Sequence, residues 1–242
     1  MASDPAPWIL RLLREGTWFS GLPADLQDAI VRRSAVRSYR RGQHVTRAGA
    51  RLEGLVGLLE GRLEVTRPVG PSGEDLVHVG EPGFWIGEYA LLTGDVAVVG
   101  TVAAAATKVL LLRRAEFERL VAEEPRWFRP FATLALARYG LMVRQLADTR
   151  ILPPDERLRT RLADLVALRR AERAIAGPVV LRISQEQLAR IVGVSRQTLN
   201  PMLAELRAEG LVETGFRSVR IPDPDALGAY AAPLGLGSRR AG

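Results

Sequence analysis

The fold is decided by the stretch Ile183-Ser-Gln-Glu-Gln-Leu-Ala-Arg-Ile-Val-Gly-Val-Ser-Arg-Gln-Thr-Leu-Asn200. Ser184 is a favourable N-cap, and Gln187, three residues later, completes a capping box that predicts the start of a helix. Gly193 suits a left-handed turn after that helix, and Ser195 can cap a second one. These residues together predict two helices joined by a tight turn, which is the pattern of a helix-turn-helix.

The start of the second predicted helix carries polar side chains at Arg196, Gln197 and Asn200. In a helix-turn-helix this end enters the DNA major groove, where Arg pairs with guanine and Gln or Asn with adenine. Ser195 and Thr198 suit phosphate contact and plain capping equally well. A helical hairpin with a merely solvated polar face is the alternative. The predicted DNA-binding residues are Ser184, Gln185, Ser195, Arg196, Gln197, Thr198, Asn200, Arg217 and Arg220.

A small hairpin is predicted after the second helix. Residues 210–213 and 218–221 would form its strands, with Thr214-Gly-Phe-Arg217 between them. Such a hairpin is the wing of a winged helix-turn-helix, and it leaves Arg217 and Arg220 available for phosphate.

Pro201 is the anomaly of the motif, because it falls inside the second predicted helix. Proline lacks the backbone N–H that a helix interior uses, and whether it kinks the helix, delays its start or does neither stays open. Base recognition would then depend on Arg196, Gln197 and Asn200.

The rest of the chain changes pattern twice. Residues 6–38 contain helical segments, whereas residues 36–112 alternate short Val- and Leu-rich runs with frequent glycines, which predicts an all-β barrel or roll. One helix then ends before Pro125, and a second runs from Pro125 to about Arg150. At 1.5 Å per residue this second helix is roughly 37 Å long. It could pack on its own roll or pair with its copy in a dimer.

The connection from the long helix to the DNA-binding motif is predicted to bend. Pro153-Pro154 interrupts the helix and is interpreted as a hinge. A further helix from Asp155 to about Arg173 and a turn at Gly177-Pro178 precede the motif.

Composition favours a nucleic-acid partner and argues against catalysis. The net charge is +7, and residues 150–242 carry 15 Arg against 10 acidic residues. Such an excess favours a polyanion, although Arg replaces Lys almost everywhere in this chain. There is no Cys, and His44 and His78 stand far apart, so no metal site is expected. No P-loop or Gly-x-Ser-x-Gly motif occurs, and we predict that the protein is not an enzyme.

No export or membrane signal is visible in the sequence. The N-terminus lacks a basic run followed by an apolar one. Residues 96–112, the most apolar stretch, are too short and too interrupted to span a bilayer. We therefore expect a cytoplasmic protein without a membrane partner.

With these motifs, the chain resembles the CRP/FNR superfamily of transcription regulators over nearly its full length. The resemblance rests on Val192-Gly-Val-Ser-Arg-Gln-Thr-Leu199 and on Gly87-Glu-Tyr-Ala-Leu-Leu92, which is similar to the family's phosphate-binding cassette. It implies a homodimer that binds a two-fold symmetric operator, with half-sites about one helical turn apart. It also implies RNA polymerase as a partner.

The fold class implied is α+β. It comprises an N-terminal β-roll sensor domain of the double-stranded β-helix or jelly-roll type, a long dimerisation helix and a C-terminal winged helix-turn-helix. The expected boundaries are 1–124 for the N-terminal helices and the cyclic-nucleotide-binding-like β-roll, 125–152 for the dimerisation helix and hinge, 153–225 for the DNA-binding domain, and 226–242 for a C-terminal tail.

The chain departs from the family where a cyclic nucleotide would be held. Ala97-Val98 stand where the resemblance places an Arg followed by Ser or Thr, and no Arg occurs between residues 67 and 113. A buried phosphodiester without a cationic partner is costly to desolvate. Met142 and Val143 replace the family's adenine-contacting hydroxyls. We therefore expect no control by cyclic AMP in the usual mode.

An effector pocket is nevertheless expected at this place, with no cofactor predicted. Arg138 matches a family Arg that can reach the pocket Glu, so a Glu88–Arg138 pair is expected. The aromatic residues and the apolar residues of the long helix could line the pocket, with core packing as the favoured alternative for each. An apolar small molecule, a partner protein, an unfamiliar effector and no effector all remain open. The pocket residues are Phe84, Trp85, Gly87, Glu88, Ala97, Val98, Arg138, Met142 and Val143.

A second class of function competes with the DNA-binding regulator. In that alternative the chain is a small-molecule sensor or protein-interaction module whose degenerate helix-turn-helix docks a protein. The salt dependence of duplex binding separates the two, because a DNA-binding regulator loses affinity steeply as salt rises.

Overall fold

The computed structural model describes residues 7–69, 73–173 and 175–227. The chain forms two compact units, the first ending at Arg138 and the second beginning at Tyr139. None of the described helices has the length and apolarity needed to cross a membrane. Most of the predicted C-terminal tail, residues 228–242, lies outside the described residues.

Three short helices open the first unit: α1 (Pro7–Leu13), α2 (Thr17–Ser20) and α3 (Ala24–Arg33). The helical segments that the sequence pattern predicted over residues 6–38 are confirmed, and α2 is a single turn. Leu13, Phe19 and Ile30 are buried in one cluster with apolar residues of the β-sheet. The helices therefore cover one face of that sheet.

Eight strands form two antiparallel four-stranded sheets, and the predicted roll is confirmed. The strands are β1 (Ala35–Tyr39), β2 (His44–Thr46), β3 (Gly54–Glu60), β4 (Leu63–Val69), β5 (Gly73–Gly80), β6 (Trp85–Ile86), β7 (Gly100–Ala103) and β8 (Thr107–Arg113). Their orders are β1-β8-β3-β6 and β2-β7-β4-β5. A short helix, α4 (Glu88–Thr93), follows β6.

Alternation along β3 explains how the roll is filled. Leu55 and Leu59 belong to the cluster under the N-terminal helices, whereas Val56 and Leu58 belong to a separate cluster with residues of β4 and β8. Successive side chains of a strand point to opposite faces. Both faces of this strand are buried, which is why its sequence is almost continuously apolar.

The first unit continues through α5 (Arg114–Glu123) and a 3-10 turn at Pro125–Trp127. The long helix, α6 (Phe128–Ile151), follows and extends across the boundary between the two units. Because α6 begins at Phe128, Pro125 precedes the long α-helix instead of starting it. Phe117 of α5 packs edge-on against Phe131 of α6, with ring centres 4.9 Å apart.

The second unit contains a helical DNA-binding motif and a small sheet. Its elements after α6 are α7 (Pro154–Arg173), β9 (Val179–Leu181), α8 (Gln185–Val192), α9 (Arg196–Ala208), β10 (Glu213–Gly215) and β11 (Ser218–Ile221). The sheet order is β10-β11-β9. Leu162, Leu188, Leu199 and Val219 meet in its core. The predicted winged helix-turn-helix architecture is confirmed.

Two details of the wing differ from the sequence prediction. The first strand was placed at residues 210–213, but β10 begins at Glu213, because Gly210, at φ +74°, ends the helix α9. The loop between the strands contracts to Phe216 and Arg217, with Gly215 paired to Ser218. The third strand, β9, was not predicted.

Candidate nucleic-acid interface

The first helix of the motif begins at the predicted capping box. The Ser184 hydroxyl accepts a hydrogen bond from the Gln187 backbone N–H at 3.2 Å, and the Gln187 side chain accepts one from the Ser184 N–H at 2.9 Å. Gly193 follows the helix at φ +77°, a conformation that favours glycine. Its N–H donates to the Ala189 carbonyl at 2.9 Å. These contacts fix the turn that the sequence predicted.

The second helix presents its first turn to solvent. Ser195 Oγ accepts a hydrogen bond from the Thr198 N–H at 3.0 Å and lies 2.8 Å from Thr198 Oγ1. Arg196, Gln197 and Asn200 are exposed, whereas the neighbouring Leu199 is fully buried. The capping role of Ser195 is confirmed. Contact of these side chains with DNA stays a prediction.

Pro201 does not delay the helix. The helix α9 begins at Arg196, directly after its cap, and contains Pro201 in its interior. Proline leaves the carbonyl of Gln197, four residues earlier, without its usual helical donor. Leu199 and Leu203 are buried on the opposite side, and this packing holds the turn in place. Of the effects that the sequence left open, a late start is therefore not observed.

The wing is tied to the second helix and carries an unusual tip. Arg207, in the last turn of α9, donates a hydrogen bond to Thr214 Oγ1 at 3.2 Å. Arg220 forms an exposed ion pair with Glu213 across the hairpin at 2.7 Å, and its contact with phosphate stays a prediction. Arg217 is exposed and has φ +51°, and Phe216 is 94% exposed.

A buried ionic cluster spans the predicted hinge at Pro153-Pro154. Arg161 of α7 lies 3.3 Å from Asp164 and donates to the backbone carbonyl of Gln145, on α6, at 2.8 Å. Gln145 Nε2 donates to Asp164 at 3.3 Å. The turn is therefore braced on both sides by hydrogen bonds that the sequence pattern did not reveal.

Burial dominates the electrostatics of this cluster. It raises the pKa of Asp164 above its ordinary value, against the opposing hydrogen bond from Gln145 and the charge of Arg161. Burial also lowers the pKa of Arg161, despite its attraction to Asp164. Both shifts indicate that desolvation exceeds the attraction within the pair, as is common for buried ion pairs.

The predicted Glu88–Arg138 pair is present in the first unit. Arg138 Nη1 lies 2.6 Å from Glu88 Oε2, and Nη2 donates to the Trp85 carbonyl. The guanidinium also lies 4.9 Å from the ring centre of Phe84, a cation–π geometry. Three groups of the protein itself thus bind the one cation that the sequence placed at the effector pocket.

The remaining predicted pocket residues are divided between core and surface. Phe84 and Trp85 are buried, and Trp85 packs on Trp18 with ring centres 5.0 Å apart. Ala97 is also buried, and Gly87 has φ +107°, where an added Cβ would lie 2.8 Å from the Gly54 carbonyl oxygen. Exposed members of the set are Val98, Met142 and Val143.

Core packing was therefore the wrong expectation for Met142 and Val143. The helix α6 has apolar residues on two faces, and the described structure buries Phe131, Leu134 and Leu141 instead.

Within residues 7–69, 73–173 and 175–227, no group of three or more His, Asp and Glu side chains could hold a metal ion.

Family models match both halves of the chain. A Crp-like helix-turn-helix domain matches residues 156–230, and a cyclic nucleotide-binding domain matches residues 36–124. The cyclic AMP receptor protein of Thermus thermophilus is 28% identical over 218 residues, covering 89% of this chain and 97% of that protein. A CRP-like cAMP-activated global transcriptional regulator of Mycobacterium tuberculosis is 21% identical over 213 residues, covering 88% of this chain and 95% of that protein.

A solved structure shares the fold. The structure of FixK2 from Bradyrhizobium japonicum matches with a TM-score of 0.69 at 17% identity, covering 82% of this chain and 98% of that one. The family models, the two relatives in sequence and the geometry of α8 and α9 define a DNA-binding transcription regulator. The chain belongs to the CRP/FNR family.

Proposed function

We propose that this regulator acts as a homodimer that reads a two-fold symmetric operator and responds to a signal other than cyclic AMP bound in the usual mode. One observation supports dimerisation. The helix α6 exposes an apolar stripe while its other apolar face is buried in its own chain. A second copy of this helix carries the same apolar stripe, so the two stripes can cover each other.

The stripe has the spacing of a coiled coil. Leu136, Tyr139, Val143 and Leu146 are separated by three, four and three residues, which is the alternation of positions that meet in a two-stranded coiled coil. All four side chains are exposed, as is Met142 beside them. An apolar row of this length on an otherwise folded chain marks an interaction surface.

Dimerisation would duplicate the DNA-binding motif and produce a symmetric operator, because a two-fold protein presents two equivalent helices to two half-sites. Within each half-site we assign base recognition to Arg196, Gln197 and Asn200. All three are exposed at the first turn of α9, the end of the helix that enters the major groove. Ser184, Gln185 and Arg217 are assigned to the DNA backbone.

The environment of Glu88 supports control by another signal. A cyclic phosphodiester needs a cationic partner when it is buried, and Arg138 is already bound to Glu88, to the Trp85 carbonyl and to the Phe84 ring. The carboxylate of Glu88 would repel a phosphate that approached without displacing this arginine. An apolar small molecule, a partner protein or constitutive activity fits this arrangement. RNA polymerase is the partner proposed for transcription control.

Binding to duplexes enriched by the full-length chain from a random DNA pool tests the proposal. We expect steep loss of affinity with rising salt, as for a protein that neutralises several phosphates, and enriched sequences that are inverted repeats. A weak, salt-insensitive interaction without enrichment would instead support the protein-docking alternative.

A further inference from the structure

The tip of the wing consists of Phe216 and Arg217, and both depart from what a hairpin turn favours. They lie between the paired residues Gly215 and Ser218. Arg217 has φ +51° and is the one non-glycine residue with positive φ in the described part of the chain. Glycine or asparagine usually occupies such a turn position, because a Cβ is strained there.

Phe216 is the second departure. Its side chain is 94% exposed, more than any other large hydrophobic residue among those described. A ring in this position buries almost nothing against its own chain, so it contributes no packing to the wing. Single exposed apolar residues are ordinary on protein surfaces, but here exposure coincides with backbone strain in the adjacent residue. Such coincidences mark functional positions.

The surroundings of the tip indicate an anionic partner. Arg217 is itself exposed, and Arg207 supports the hairpin from the last turn of α9 through Thr214. The one acidic side chain of the hairpin, Glu213, is bound to Arg220 at 2.7 Å. A cation beside an exposed ring suits a phosphate beside a sugar and base, and it disfavours an apolar protein groove, in which Arg217 would be desolvated.

We propose that the wing tip is a two-residue DNA contact in which Arg217 binds a backbone phosphate and the ring of Phe216 packs into the adjoining groove. Aromatic rings stack on bases and wedge between base steps in other DNA-binding proteins. The inference rests on the DNA-binding function and deepens it, because it adds a groove contact of Phe216 to the backbone contact already assigned to Arg217. The positive φ of Arg217 would then be the conformation that directs both side chains toward DNA.

The experiment measures the affinity of the full-length chain for a duplex that it has enriched, across a salt series. Phe216→Ala should weaken binding by roughly tenfold, in keeping with the loss of one aromatic contact to DNA, and should leave the slope of log K against log salt unchanged because Phe carries no charge. Phe216→Tyr should retain the affinity of the wild type. Val180→Ala is the matched control, since Val180 is an exposed apolar residue on β9 of the same sheet.

Arg217→Gly separates a functional role from a structural one. Glycine relieves the strain at φ +51°, so the melting temperature should stay equal or rise, while the salt slope should fall by about one unit as one phosphate contact is lost. Wild-type affinity in Phe216→Ala, or an unchanged slope in Arg217→Gly, would overturn the inference alone. Absence of salt-sensitive DNA binding by the wild-type chain would overturn the DNA-binding function together with it.

Discussion

At the residue scale, Ser195 occupies the place where folding and DNA binding meet. Its hydroxyl caps α9 through the Thr198 N–H at 3.0 Å, yet it remains exposed at the end of the helix to which we assign base recognition. The cap satisfies one of the free N–H groups at the helix start. A phosphate could use the remaining donors of the same turn.

Ser195→Asp separates these two roles. Asp is as good an N-cap as Ser and interacts favourably with the helix dipole, so the melting temperature should not fall. A new negative charge at a phosphate contact should nonetheless weaken DNA binding at low salt. Unchanged DNA affinity would mean that Ser195 is a cap alone, and Ser195→Ala provides the reference for cap loss, at about 1 kcal/mol of stability.

Arg196→Ala tests base recognition directly. The loss of a bidentate guanine contact should reduce the preference for enriched over scrambled duplex by about 1–3 kcal/mol, measured as a ratio of affinities at one salt concentration. Arg190→Ala is the matched control, because Arg190 is exposed on α8 and paired with Glu186. Its loss should affect both duplexes alike. An unaltered ratio in Arg196→Ala would remove this residue from the base-reading set.

At the element scale, α6 is the part of the chain whose role depends on what lies outside it. One of its faces is buried through Phe131, Leu134 and Leu141, and the other exposes the stripe that begins at Leu136. A helix with two apolar faces needs two partners. Its own chain supplies one of them.

Leu146→Glu should convert the dimer into a monomer. A carboxylate buried in an apolar interface must be desolvated without a partner. Leu146 is exposed in the single chain, so its replacement should not unfold the chain. Sedimentation analysis should report a mass near that of one 26.5 kDa chain. Leu146→Met, which keeps the side chain apolar, should remain dimeric. A dimer in the Glu variant would place the interface elsewhere.

The cluster joining α6 and α7 predicts a pH dependence. Burial raises the pKa of Asp164 in the folded protein, so the folded state holds that proton more tightly than the unfolded state does. The stability that this gives is present at acid pH and is lost as pH rises through the raised pKa.

Asp164→Asn should remove the loss of stability with rising pH, because Asn cannot ionise. Arg161 keeps its hydrogen bond to the Gln145 carbonyl, so the variant should be as stable as the wild type at neutral pH. Denaturation followed by circular dichroism at several pH values compares the stability of the variant with that of the wild type. A drop of about 3–5 kcal/mol, typical of a broken buried pair, would contradict the account.

Sequence patterns predicted those elements whose signals are local. The capping box at Ser184, the left-handed Gly193 and the cap at Ser195 lie where they were expected, because each depends on residues a few positions apart. The strand β9 and the register of the wing were missed, since strands of three or four residues carry too little periodicity. The effect of Pro201 could not be predicted from the sequence, because the burial of Leu199 and Leu203 is a tertiary effect.

The candidate sites were predictable to different extents. Exposure of Arg196, Gln197 and Asn200 follows from helix position alone. The exposure of Met142 and Val143 could not be read from the sequence, because periodicity does not say which of two apolar faces is buried. The bracing of Pro153-Pro154 by Arg161 joins residues from different helices, and the sequence holds no local signal for it.

At the scale of the whole molecule, a sensor-like roll and a DNA-binding unit are joined by one long helix. The roll has the fold that binds cyclic nucleotides in other proteins, but Arg138 is bound to Glu88 and Trp85 within this chain. We therefore expect DNA binding that does not depend on cyclic AMP. Calorimetric titration of the protein with cyclic AMP should give no binding heat in the micromolar range.

Whether a dimer binds symmetric DNA without cyclic AMP can be measured on an enriched duplex. Native mass spectrometry gives the stoichiometry of the full-length chain, and fluorescence anisotropy with and without millimolar cyclic AMP gives its affinity. We predict two chains per duplex and the same affinity in both conditions. One chain per duplex, or an affinity that rises at least tenfold with cyclic AMP, would contradict the account.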